Sequence, residues 1–578
     1  MTPSDRCDDA AAGIDSSGPR RLVSCLLLAA GLLLATGCIV ILAAVPPVSR
    51  DALIHHLAVP KMYLRHGGIY EICSMHFSYF PMNLDLLYLV PLYFKIDIAA
   101  KYLHFMFALF CAGLIYRYLR QTLNRNYGLL GALFFLTLPV IVKLSVTVYV
   151  DLGLIFFSWA SLYFVIQWHA AGFPPRRMLL AGIACGLALG TKYNGLLLLP
   201  ILGTLIPILY ASEKNRAVLH DNFRLRYKNA FAGLGWSVIF ILIALILFSP
   251  WMIRNIVWKG NPVYPLYNSV FNPPAQPVLP ETVEKEKAPP KNAFWMRRHV
   301  YGESFWQTLS IPVRAFFQGQ DDNPRYFDGR LNPFLLLLSL AAFIRVRQPC
   351  FPAFVTHRTV LALFALLFIL FVWFQADFRI RYMGPAIPPL VVLSVFGIRN
   401  LSDLALRQTG AIKKAGQAAV TAVVLLALLL NGHYIYGQFS HIRPQDYLSG
   451  TVDRDAYISR FHREFPVIAH ANKVLPADAR VLCLSIGDRT YYLDRALHLA
   501  EDFYNKTGGR YSEADLINKL TRYGTTHVII DRGVLFDWLI TLPQEEQAVF
   551  LNVFKNNTRV LYEENNVLLL ELALQWQG

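Results

Sequence analysis

The stretch that decides the fold reads LVSCLLLAAGLLLATGCIVILAAVP over residues 22–46, and DALIHHLAVPKMYL follows over residues 51–64. The first part contains no charged residue and exceeds the roughly 20 apolar residues that a membrane-spanning helix needs. It is also longer than the core of a secretory signal peptide, which has about 7–15 apolar residues. The chain therefore enters a membrane near residue 22, and the second part begins where this first span ends.

The second part combines a carboxylate, two imidazoles and an ammonium group at the membrane surface. Asp51, His55, His56 and Lys61 supply these groups, and apolar residues between them recur at helical spacing. From this stretch alone, two interpretations stay open. It is either a site for acid–base chemistry or a charged helix end whose side chains reach the lipid headgroups.

The composition extends the membrane interpretation to the whole chain. Of its 578 residues, 55% are hydrophobic and only 16% are charged, with a mean hydropathy of +0.39. A soluble domain carries about 25% charged residues. The net charge of +16 fits basic cytoplasmic loops, with a possible contribution from a site for an anionic lipid substrate, better than nucleic-acid binding. The eight cysteines form no C-x-x-C pair, which argues against a zinc site and a disulfide framework.

The basic residues of the short loops predict the topology. Residues 1–21 are polar and are predicted to be a disordered cytoplasmic N-terminus. Residues 51–97 are predicted to form a first outer loop of amphipathic juxtamembrane helices. The apolar run at 84–94 should not cross, because Arg117 and its basic neighbours would then lie outside. About eleven spans result, near 22–46, 98–118, 127–147, 151–169, 178–191, 195–212, 230–250, 332–345, 358–375, 383–398 and 416–436.

This topology divides the chain into a transmembrane domain at 22–440 and a small soluble α/β domain at 450–578. A long outer loop is predicted at 251–331. The soluble domain is predicted to lie on the outer face of the membrane and to guide an acceptor substrate. Its pattern predicts helix at 453–475, a strand at 481–485, a helix capped by Ser512, a buried strand at 526–531 and a hairpin closed by Asn565 and Asn566.

Four polar groups converge on the predicted outer face. They are Asp51 with His55, His56 and Lys61; Asp151; Lys192; and Arg379 with Arg381 and Tyr382. Ionisable groups near membrane depth are costly and commonly mark a functional path. The alternative, a helix-end charge among headgroups, fits the carboxylates least, because they face an anionic surface. Such a set suits attack on an activated donor. A carboxylate can take a proton from the acceptor, and Arg or Lys can hold a departing phosphate.

Several motifs resemble the GT-C glycosyltransferases, in particular their phospholipid-carrier-dependent branch, which is related to protein O-mannosyltransferases and to the aminoarabinose transferase of lipid A. The match begins with Asp51-Ala-Leu-x-x-His56-Leu-Ala-x-Pro60-Lys61-x-Tyr63-Leu in the first loop. Further matching pieces are Tyr149-Val-Asp151, Gly190-Thr-Lys192-Tyr193, Trp251-x-x-Arg254-Asn255, Gly260-Asn261-Pro262-Val263-Tyr264-Pro265 and Arg381-Tyr382-x-x-Pro385.

The resemblance implies a sugar transfer from a polyprenyl-phosphate-linked donor, with inversion at the anomeric carbon. It implies Asp51 as the catalytic base or acceptor-positioning group and Asp151 as a second acidic residue. The residues expected to bind substrate are His55, His56, Lys61, Lys192, Arg254, Asn261, Tyr264, Arg379, Arg381 and Tyr382. The Gly260–Tyr264 segment is equally interpretable as a rigid structural turn.

One departure from the pattern bears on substrate and metal. The protein-mannosylating relatives carry Asp-Glu in the first loop, whereas Ala52 follows Asp51 here, which disfavours protein mannosylation. The sequence identifies no cofactor. A divalent metal stays possible through His55 and His56, although adjacent histidines on a helix should point apart. Asp321 and Asp322 are interpreted as solvated loop charge.

Two other functions compete with the transferase. A transporter or flippase for lipid-linked glycans predicts charges at mid-span and repeated halves, which this sequence lacks. A glycan polymerase or ligase would use the same donor with a glycan acceptor, and the sequence separates it poorly from the transferase. The expected acceptor is a lipid, a glycan or a protein. The expected location is the plasma (inner) membrane, multi-pass, with the site and the C-terminal domain extracytoplasmic.

Overall fold

The computed structural model describes residues 18–216, 222–273, 293–344, 352–374, 378–499, 503–504, 511–521 and 524–573. Most of the predicted disordered N-terminus and residues 274–292 of the predicted long outer loop lie outside the described residues.

The helices up to residue 442 are α1 (Gly18–Ala43), α2 (Ala58–His66), α3 (Asn83–Leu87), α4 (Leu89–Tyr93), α5 (Ile98–Thr122), α6 (Arg125–Thr137), α7 (Pro139–Ser145), α8 (Asp151–Ala170), α9 (Pro175–Leu189), α10 (Leu198–Asn215), α11 (Phe223–Lys259), α12 (Asn268–Phe271), α13 (Ala293–Tyr301), α14 (Phe305–Leu309), α15 (Ile311–Gln318), α16 (Phe334–Ala341), α17 (Pro352–Trp373), α18 (Ile387–Leu406) and α19 (Gly410–Ile442). A π-helix covers Ala52–His56, and 3-10 helices cover His76–Tyr79, Tyr193–Leu197, Pro324–Tyr326 and Ile380–Ala386.

Within these described ranges, eight helices have the length and hydropathy of membrane spans. The pair α6 and α7, bent by 65°, makes a ninth if it is one span. The predicted spans at 178–191 and 332–345 coincide with α9 and α16, which have 15 and 8 described residues. At 1.5 Å per residue, even α9 covers only about 22 Å of a hydrocarbon core of about 30 Å. The multi-pass α-helical fold is confirmed, while the count of eleven spans stays a prediction.

The central helix of the bundle is α8. In its membrane window 78% of the residues are buried, against 22% for α1 and α19 at the periphery. Its apolar side chains lie on all sides, as expected for a helix surrounded by other helices. It packs against α5 and α9. Asp151 is the first residue of this buried helix, so the fold fixes that carboxylate at the end of the bundle.

The first loop packs onto this end of the bundle and does not cross it. The predicted non-spanning run at 84–94 is covered by the short helices α3 and α4. A Cβ on Gly153 would lie 2.5 Å from the Leu84 side chain, so the missing side chain lets the loop seat against α8. The backbone N–H of Asn83 also donates to the Gly190 carbonyl at 2.8 Å. The end of the bundle that carries Asp51 and Asp151 is called the site face below.

Helix α11 is longer than predicted. It runs from Phe223 to Lys259, past the predicted start of the long loop at residue 251. Pro250 lies inside it, and the helix ends only at Gly260, whose φ of +65° gives the left-handed C-cap that glycine favours. The motif Trp251-x-x-Arg254-Asn255 therefore belongs to a helix rather than to a loop.

The C-terminal domain is an α/β unit, as predicted. Its elements are α20 (Pro444–Leu448), α21 (Arg454–Phe461), α22 (Phe465–Val474), β1 (Arg480–Leu484), β2 (Ala496–Leu499), α23 (Glu513–Thr521), β3 (His527–Asp531), α24 (Arg532–Leu539), α25 (Gln544–Asn557), β4 (Thr558–Glu564) and β5 (Val567–Leu572). The sheet order is β2-β1-β3-β5-β4, with β1 parallel to β2 and β3. The predicted hairpin is present, and Asn565 and Asn566 close it with positive φ angles, as such a two-residue turn requires.

The C-terminal domain is docked on the first loop. The backbone N–H of Tyr491 donates to the Leu53 carbonyl at 3.1 Å, inside the π-helix that follows Asp51. Arg454 forms an ion pair with Asp97 at 2.5 Å. A ring nitrogen of His462 lies 2.7 Å from the Val48 carbonyl. The domain thus contacts the chain on both sides of Asp51.

Candidate active site

The centre of the site is an ion pair between the first loop and the segment before α18. Asp51 precedes the π-helix, and Arg381 lies in the 3-10 helix Ile380–Ala386. A carboxylate oxygen of Asp51 lies 2.7 Å from a guanidinium nitrogen of Arg381. Burial alone raises the pKa of the Asp51 carboxyl, but the charge of Arg381, with smaller effects from both neighbouring histidines, holds it well below its ordinary value. Asp51 is therefore ionised at neutral pH.

A second ion pair lies beside the first. Lys192 donates to Asp151 at 2.7 Å, and the second carboxylate oxygen of Asp151 is buried with no hydrogen-bond partner among the described residues. The Lys192 ammonium lies 5.1 Å from the centre of the Tyr382 ring, and the Arg381 guanidinium lies 5.4 Å from the same ring. Tyr382 therefore contacts both cations and links the two pairs.

A cavity of about 280 Å³ opens at Asp51 and Arg381. The charged residues in its wall are Arg50, Asp51, Lys143, Asp322, Asp328, Arg379 and Arg381. Arg379 pairs with Asp328 at 3.4 Å, and Lys143 lies 3.1 Å from Asp322. Arg379 and Arg381 thus share one cavity with Asp51, and four cations face a space large enough for a phosphate group.

A second cavity of about 490 Å³ adjoins the first. The two share Arg50, Lys143, Tyr149 and Asp322 in their walls. The second runs between the first loop, α19 and α21, so the C-terminal domain forms part of its wall through Tyr457 and Phe461. The site face therefore offers two adjoining spaces that meet at Arg50, next to Asp51.

Sequence reasoning missed Lys143, Asp328 and Tyr149 as individual cavity residues. Lys143 had a usable signal, because it interrupts the otherwise apolar run 127–147 and an ionisable residue at that depth is costly. Asp328 lies in an irregular part of a long loop and has no such signal. Asp321 and Asp322 were interpreted as solvated loop charge. Asp322 is exposed, but it also pairs with Lys143. Asp321 accepts a hydrogen bond from the Tyr434 hydroxyl at 2.6 Å.

The two histidines do not point apart. A ring nitrogen of His56 lies 2.6 Å from an oxygen of the buried Asp85, and the His55 ring stacks on Phe77 with centroids 4.5 Å apart. The two imidazole centroids are only 4.0 Å apart. The expectation failed because residues 52–56 form a π-helix, in which successive side chains are spaced more closely around the axis than in an α-helix.

Burial sets the protonation of these groups. It lowers the pKa of His56 to about 3 and raises the pKa of Asp85 to about 7. It also lowers the pKa of His55 well below its ordinary value. Both imidazoles are therefore neutral at neutral pH. Among the described residues, no group of three or more His, Cys, Asp or Glu is placed to share a metal ion.

Of the ten predicted substrate-binding residues, Arg379 and Arg381 line the cavity at Asp51, and four of the others make contacts elsewhere. Lys61 donates to the carbonyls of Tyr491 and Leu493 and pairs with Asp494 at 2.8 Å, so it joins the first loop to the C-terminal domain. Arg254 donates to the Tyr79 carbonyl at 2.6 Å and lies over two tryptophan rings.

The other two of these residues hold a turn. The Asn261 side chain accepts from the Val263 N–H at 2.9 Å and donates to the Leu266 carbonyl. The Tyr264 carbonyl accepts from the Tyr193 hydroxyl at 2.7 Å. These contacts are those of the rigid turn that was the alternative interpretation of this segment, and a substrate role for Asn261 and Tyr264 stays a prediction.

Comparison with known proteins places this geometry in context. Residues 73–259 match the family model described as dolichyl-phosphate-mannose-protein mannosyltransferase. The matched segment contains Asp151 and Lys192 but not Asp51. No protein with a curated function matches the sequence.

Among solved structures, ArnT from Cupriavidus metallidurans in the apo state superposes with a TM-score of 0.56 at 14% identity, covering 96% of this chain and 99% of that one. ArnT bound to undecaprenyl phosphate gives 0.54 at 13% identity, covering 96% and 98%. The archaeal oligosaccharyltransferase AglB from Archaeoglobus fulgidus gives 0.48 at 12% identity, covering 96% and 75%. The resemblance inferred from the sequence is confirmed at the level of the fold. The chain has the fold of ArnT, a GT-C fold, over nearly the full length of both proteins.

Proposed function

We propose that this GT-C-fold membrane protein is a glycosyltransferase that moves a sugar from a polyprenyl-phosphate-linked donor to an acceptor, with Asp51 as the catalytic base. One observation carries the proposal. Asp51 pairs with Arg381 at 2.7 Å in the wall of a cavity that Arg50, Lys143 and Arg379 also line. The ArnT-like fold and the family match at residues 73–259 support the class of reaction.

The charges of the cavity suit a phosphate leaving group. Four cationic and three acidic side chains line it. A polyprenyl-phosphate sugar is a phosphodiester with one negative charge, and the departing polyprenyl phosphate gains a second. Cations around the phosphate therefore stabilise the transition state more than the ground state, which is the condition for catalysis.

The proposed reaction is a single displacement at the anomeric carbon of the donor sugar. The acceptor oxygen or nitrogen attacks the anomeric carbon from the face opposite the phosphate. The bond from that carbon to the phosphate oxygen breaks, the oxygen keeps the electron pair, and Asp51 takes the acceptor proton. The configuration at the anomeric carbon inverts. No residue of the chain is bonded to the sugar in this step.

Arg381 would couple donor binding to the strength of the base. The charge of Arg381 keeps the pKa of Asp51 low, and a carboxylate with so low a pKa is a weak base. A donor phosphate beside Arg379 and Arg381 would take over part of the guanidinium's charge. The pKa of Asp51 would then rise towards the value that proton abstraction needs, only when donor is bound.

Asp151 and Lys192 would act through Tyr382. Their mutual ion pair neutralises both, and the ammonium lies over the Tyr382 ring, which also contacts the Arg381 guanidinium. We assign the pair a positioning role rather than direct contact with the reacting atoms. The second cavity, bounded in part by the C-terminal domain, would take the acceptor, because it meets the first at Arg50, beside Asp51.

The proposed location of the site is the extracytoplasmic face of the plasma membrane, with the N-terminus cytoplasmic. Lipid-linked donors are the activated sugars available there. Cys73 offers a direct test, because it is exposed in the first loop. A membrane-impermeant maleimide should label intact cells through Cys73, and the label should be lost in Cys73→Ser. Labelling at Cys73 only after the membrane is broken would contradict this orientation.

The decisive test of function is Asp51→Asn. Mass spectrometry of lipid-linked sugars and surface glycans should show the donor accumulating and the glycosylated product disappearing. Glu71→Gln is the matched control, since Glu71 is a carboxylate of the same loop that pairs with Lys259 and does not line either cavity. Unchanged donor and product in Asp51→Asn would remove Asp51 from the proposed mechanism.

A further inference from the structure

A third cavity lies at the opposite end of the bundle, where α5 and α8 end and α9 begins. Its volume is about 480 Å³. Its wall includes Gln167 near the end of α8, and at 1.5 Å per residue this position is about 24 Å along the helix from Asp151. It is therefore separate from the two cavities of the site face, and nothing in the proposed sugar transfer uses it.

The wall of this cavity carries three arginines. Arg117 comes from α5, and Arg176 and Arg177 come from the first turn of α9. No Asp or Glu lies among the described residues of the wall. Within the part of the chain that the structure describes, no carboxylate pairs with any of the three, so their charges face the cavity without a protein counter-ion. Such a concentration of one sign favours an anionic ligand.

One of the arginines is already held in place. Arg177 donates to the Gln167 side-chain oxygen at 2.5 Å and to the Gln167 backbone carbonyl at 3.3 Å. These contacts fix the guanidinium across the gap between α8 and α9. A fixed guanidinium loses little freedom when it binds an anion, and its remaining N–H groups match two phosphate oxygens.

The wall changes from polar to apolar towards the middle of the membrane. On each helix an apolar residue lies three positions deeper than the polar one: Leu114 behind Arg117, Phe164 behind Gln167, and Leu180 behind Arg177. Residues three apart share one helix face, so the three apolar side chains form the deeper part of the wall. A free anion would use only the polar mouth, whereas a lipid would use both parts.

The helix surface beside the cavity faces lipid. Phe110, one turn deeper than Leu114 on α5, is 48% exposed, and Leu179, next to Leu180 on α9, is 46% exposed. In a spanning region such exposed apolar side chains contact acyl chains. A lipid in the surrounding bilayer can therefore place its headgroup at the arginines while its chains stay in the hydrocarbon layer.

We propose that this cavity binds the phosphate headgroup of an anionic phospholipid, with Arg117, Arg176 and Arg177 around the phosphate and an acyl chain along Leu114, Phe164 and Leu180. Basic pockets between spanning helices are suited to such headgroups. Because three helices contribute to the wall, the bound lipid joins α5, α8 and α9 at the end remote from the site and stabilises the folded bundle.

The test is lipid-dependent thermal stability of the purified full-length protein. Phosphatidylglycerol should raise the melting temperature in detergent more than phosphatidylcholine with the same chains. The rise should disappear in Arg117→Gln/Arg176→Gln/Arg177→Gln and fall by at least half in Arg176→Gln alone. Arg176 is exposed and has no described partner, so its replacement leaves the fold intact. Arg120→Gln/Arg125→Gln is the control, because both residues lie at the same end of the bundle outside the cavity wall.

Three results would overturn the proposal. One is an equal rise with phosphatidylcholine. Another is a full phosphatidylglycerol response in the triple variant, since the arginines would then not bind the headgroup. The third is a rise with inorganic phosphate that phosphatidylglycerol does not produce and that the triple variant loses, because the ligand of the three arginines would then be a free anion. None of these measurements depends on catalysis, so they are independent of the proposed transferase activity.

Discussion

Asp51 and Arg381 come from opposite ends of the transmembrane region and meet at 2.7 Å in the wall of the cavity on the site face. The pair is largely buried, and its two members hold each other charged. This relationship makes the basicity of Asp51 depend on what else Arg381 binds, and it leads directly to a measurable consequence.

Replacing Arg381 should change the pH dependence of the reaction as well as its rate. In Arg381→Gln the carboxylate loses its main counter-charge while burial still acts, so the pKa of Asp51 rises. The base must be ionised, and the acidic limb of kcat/KM therefore moves to higher pH. We expect the rate to fall by about 10²–10³-fold, as for loss of one charge-stabilising donor. Arg379→Gln is the control and should lower kcat/KM without moving the acidic limb. An unmoved limb in Arg381→Gln would contradict the coupling.

The pair of Asp151 and Lys192 predicts non-additive effects on stability. Asp151→Asn leaves the ammonium of Lys192 without its partner. Because Asp151 is almost fully buried, Lys192→Met leaves a buried carboxylate without a counter-charge. Each single replacement should cost about 3–5 kcal/mol, as for one partner of a buried pair. The double replacement should cost less than the sum of the two. Thermal unfolding of the four proteins in detergent measures this coupling, and additive losses would show that the two groups act independently.

The contacts of Lys61 hold the C-terminal domain against the first loop, which carries Asp51. It donates to two carbonyls of the segment 491–493 and pairs with Asp494, while Tyr491 in turn donates to Leu53. Lys61→Met should loosen this docking, expose the connection near residue 450 to limited proteolysis, and lower kcat more than it changes the KM for donor.

Arg65→Met is the matched control for Lys61. Arg65 contacts only Asp494 among the described contacts, and both side chains are about half exposed. Exposed pairs contribute about 0–1 kcal/mol, so this variant should resist protease like the unaltered protein. Equal sensitivity of the two variants would show that the surface charge of Asp494, and not the docking by Lys61, determines accessibility.

Much of this architecture could be predicted from the sequence, because membrane physics leaves strong patterns. The charge-free runs, the basic loops and the interruption of 84–94 by Asp85 predicted both the bundle and the non-crossing first loop. In the C-terminal domain, Asn565-Asn566 and the capping Ser512 predicted a turn and a helix start that the structure contains.

The detailed partnerships could not be predicted. Residues such as Lys61 and Asp328 acquire their neighbours only when distant segments pack, and no local periodicity encodes that. The π-helix at 52–56 likewise has no local signal in the sequence, and its Leu53 carbonyl accepts a hydrogen bond from the distant Tyr491 N–H. Sequence reasoning placed Lys61 in one group with Asp51 and expected Arg381 on the same face, but it could not predict that Lys61 pairs with Asp494 and Asp51 with Arg381.

The buried pair of His56 and Asp85 gives a final prediction, on pH and stability. In the folded protein the pKa of Asp85 is about 7, against an ordinary value of 3.8, so between these values the folded state binds a proton that the unfolded state has lost. The stability due to Asp85 is therefore complete below about pH 4 and is lost as the pH rises to 7, on the order of 1 kcal/mol per pH unit. His56 has the opposite sign, because its folded pKa of about 3 lies below the ordinary 6.5.

The two contributions oppose each other in the unaltered protein, so Asp85→Asn is needed to separate them. The unaltered protein should exceed this variant in melting temperature most at about pH 4, and the difference should shrink as the pH rises to 7.5. Asp97→Asn is a control, since Asp97 is a buried carboxylate of the same loop that pairs with Arg454 instead of a histidine. Its melting temperature should fall through loss of the Arg454 ion pair, while the contact between His56 and Asp85 stays in place. A deficit in Asp85→Asn that grows with pH would show that Asp85 is ionised in the folded protein.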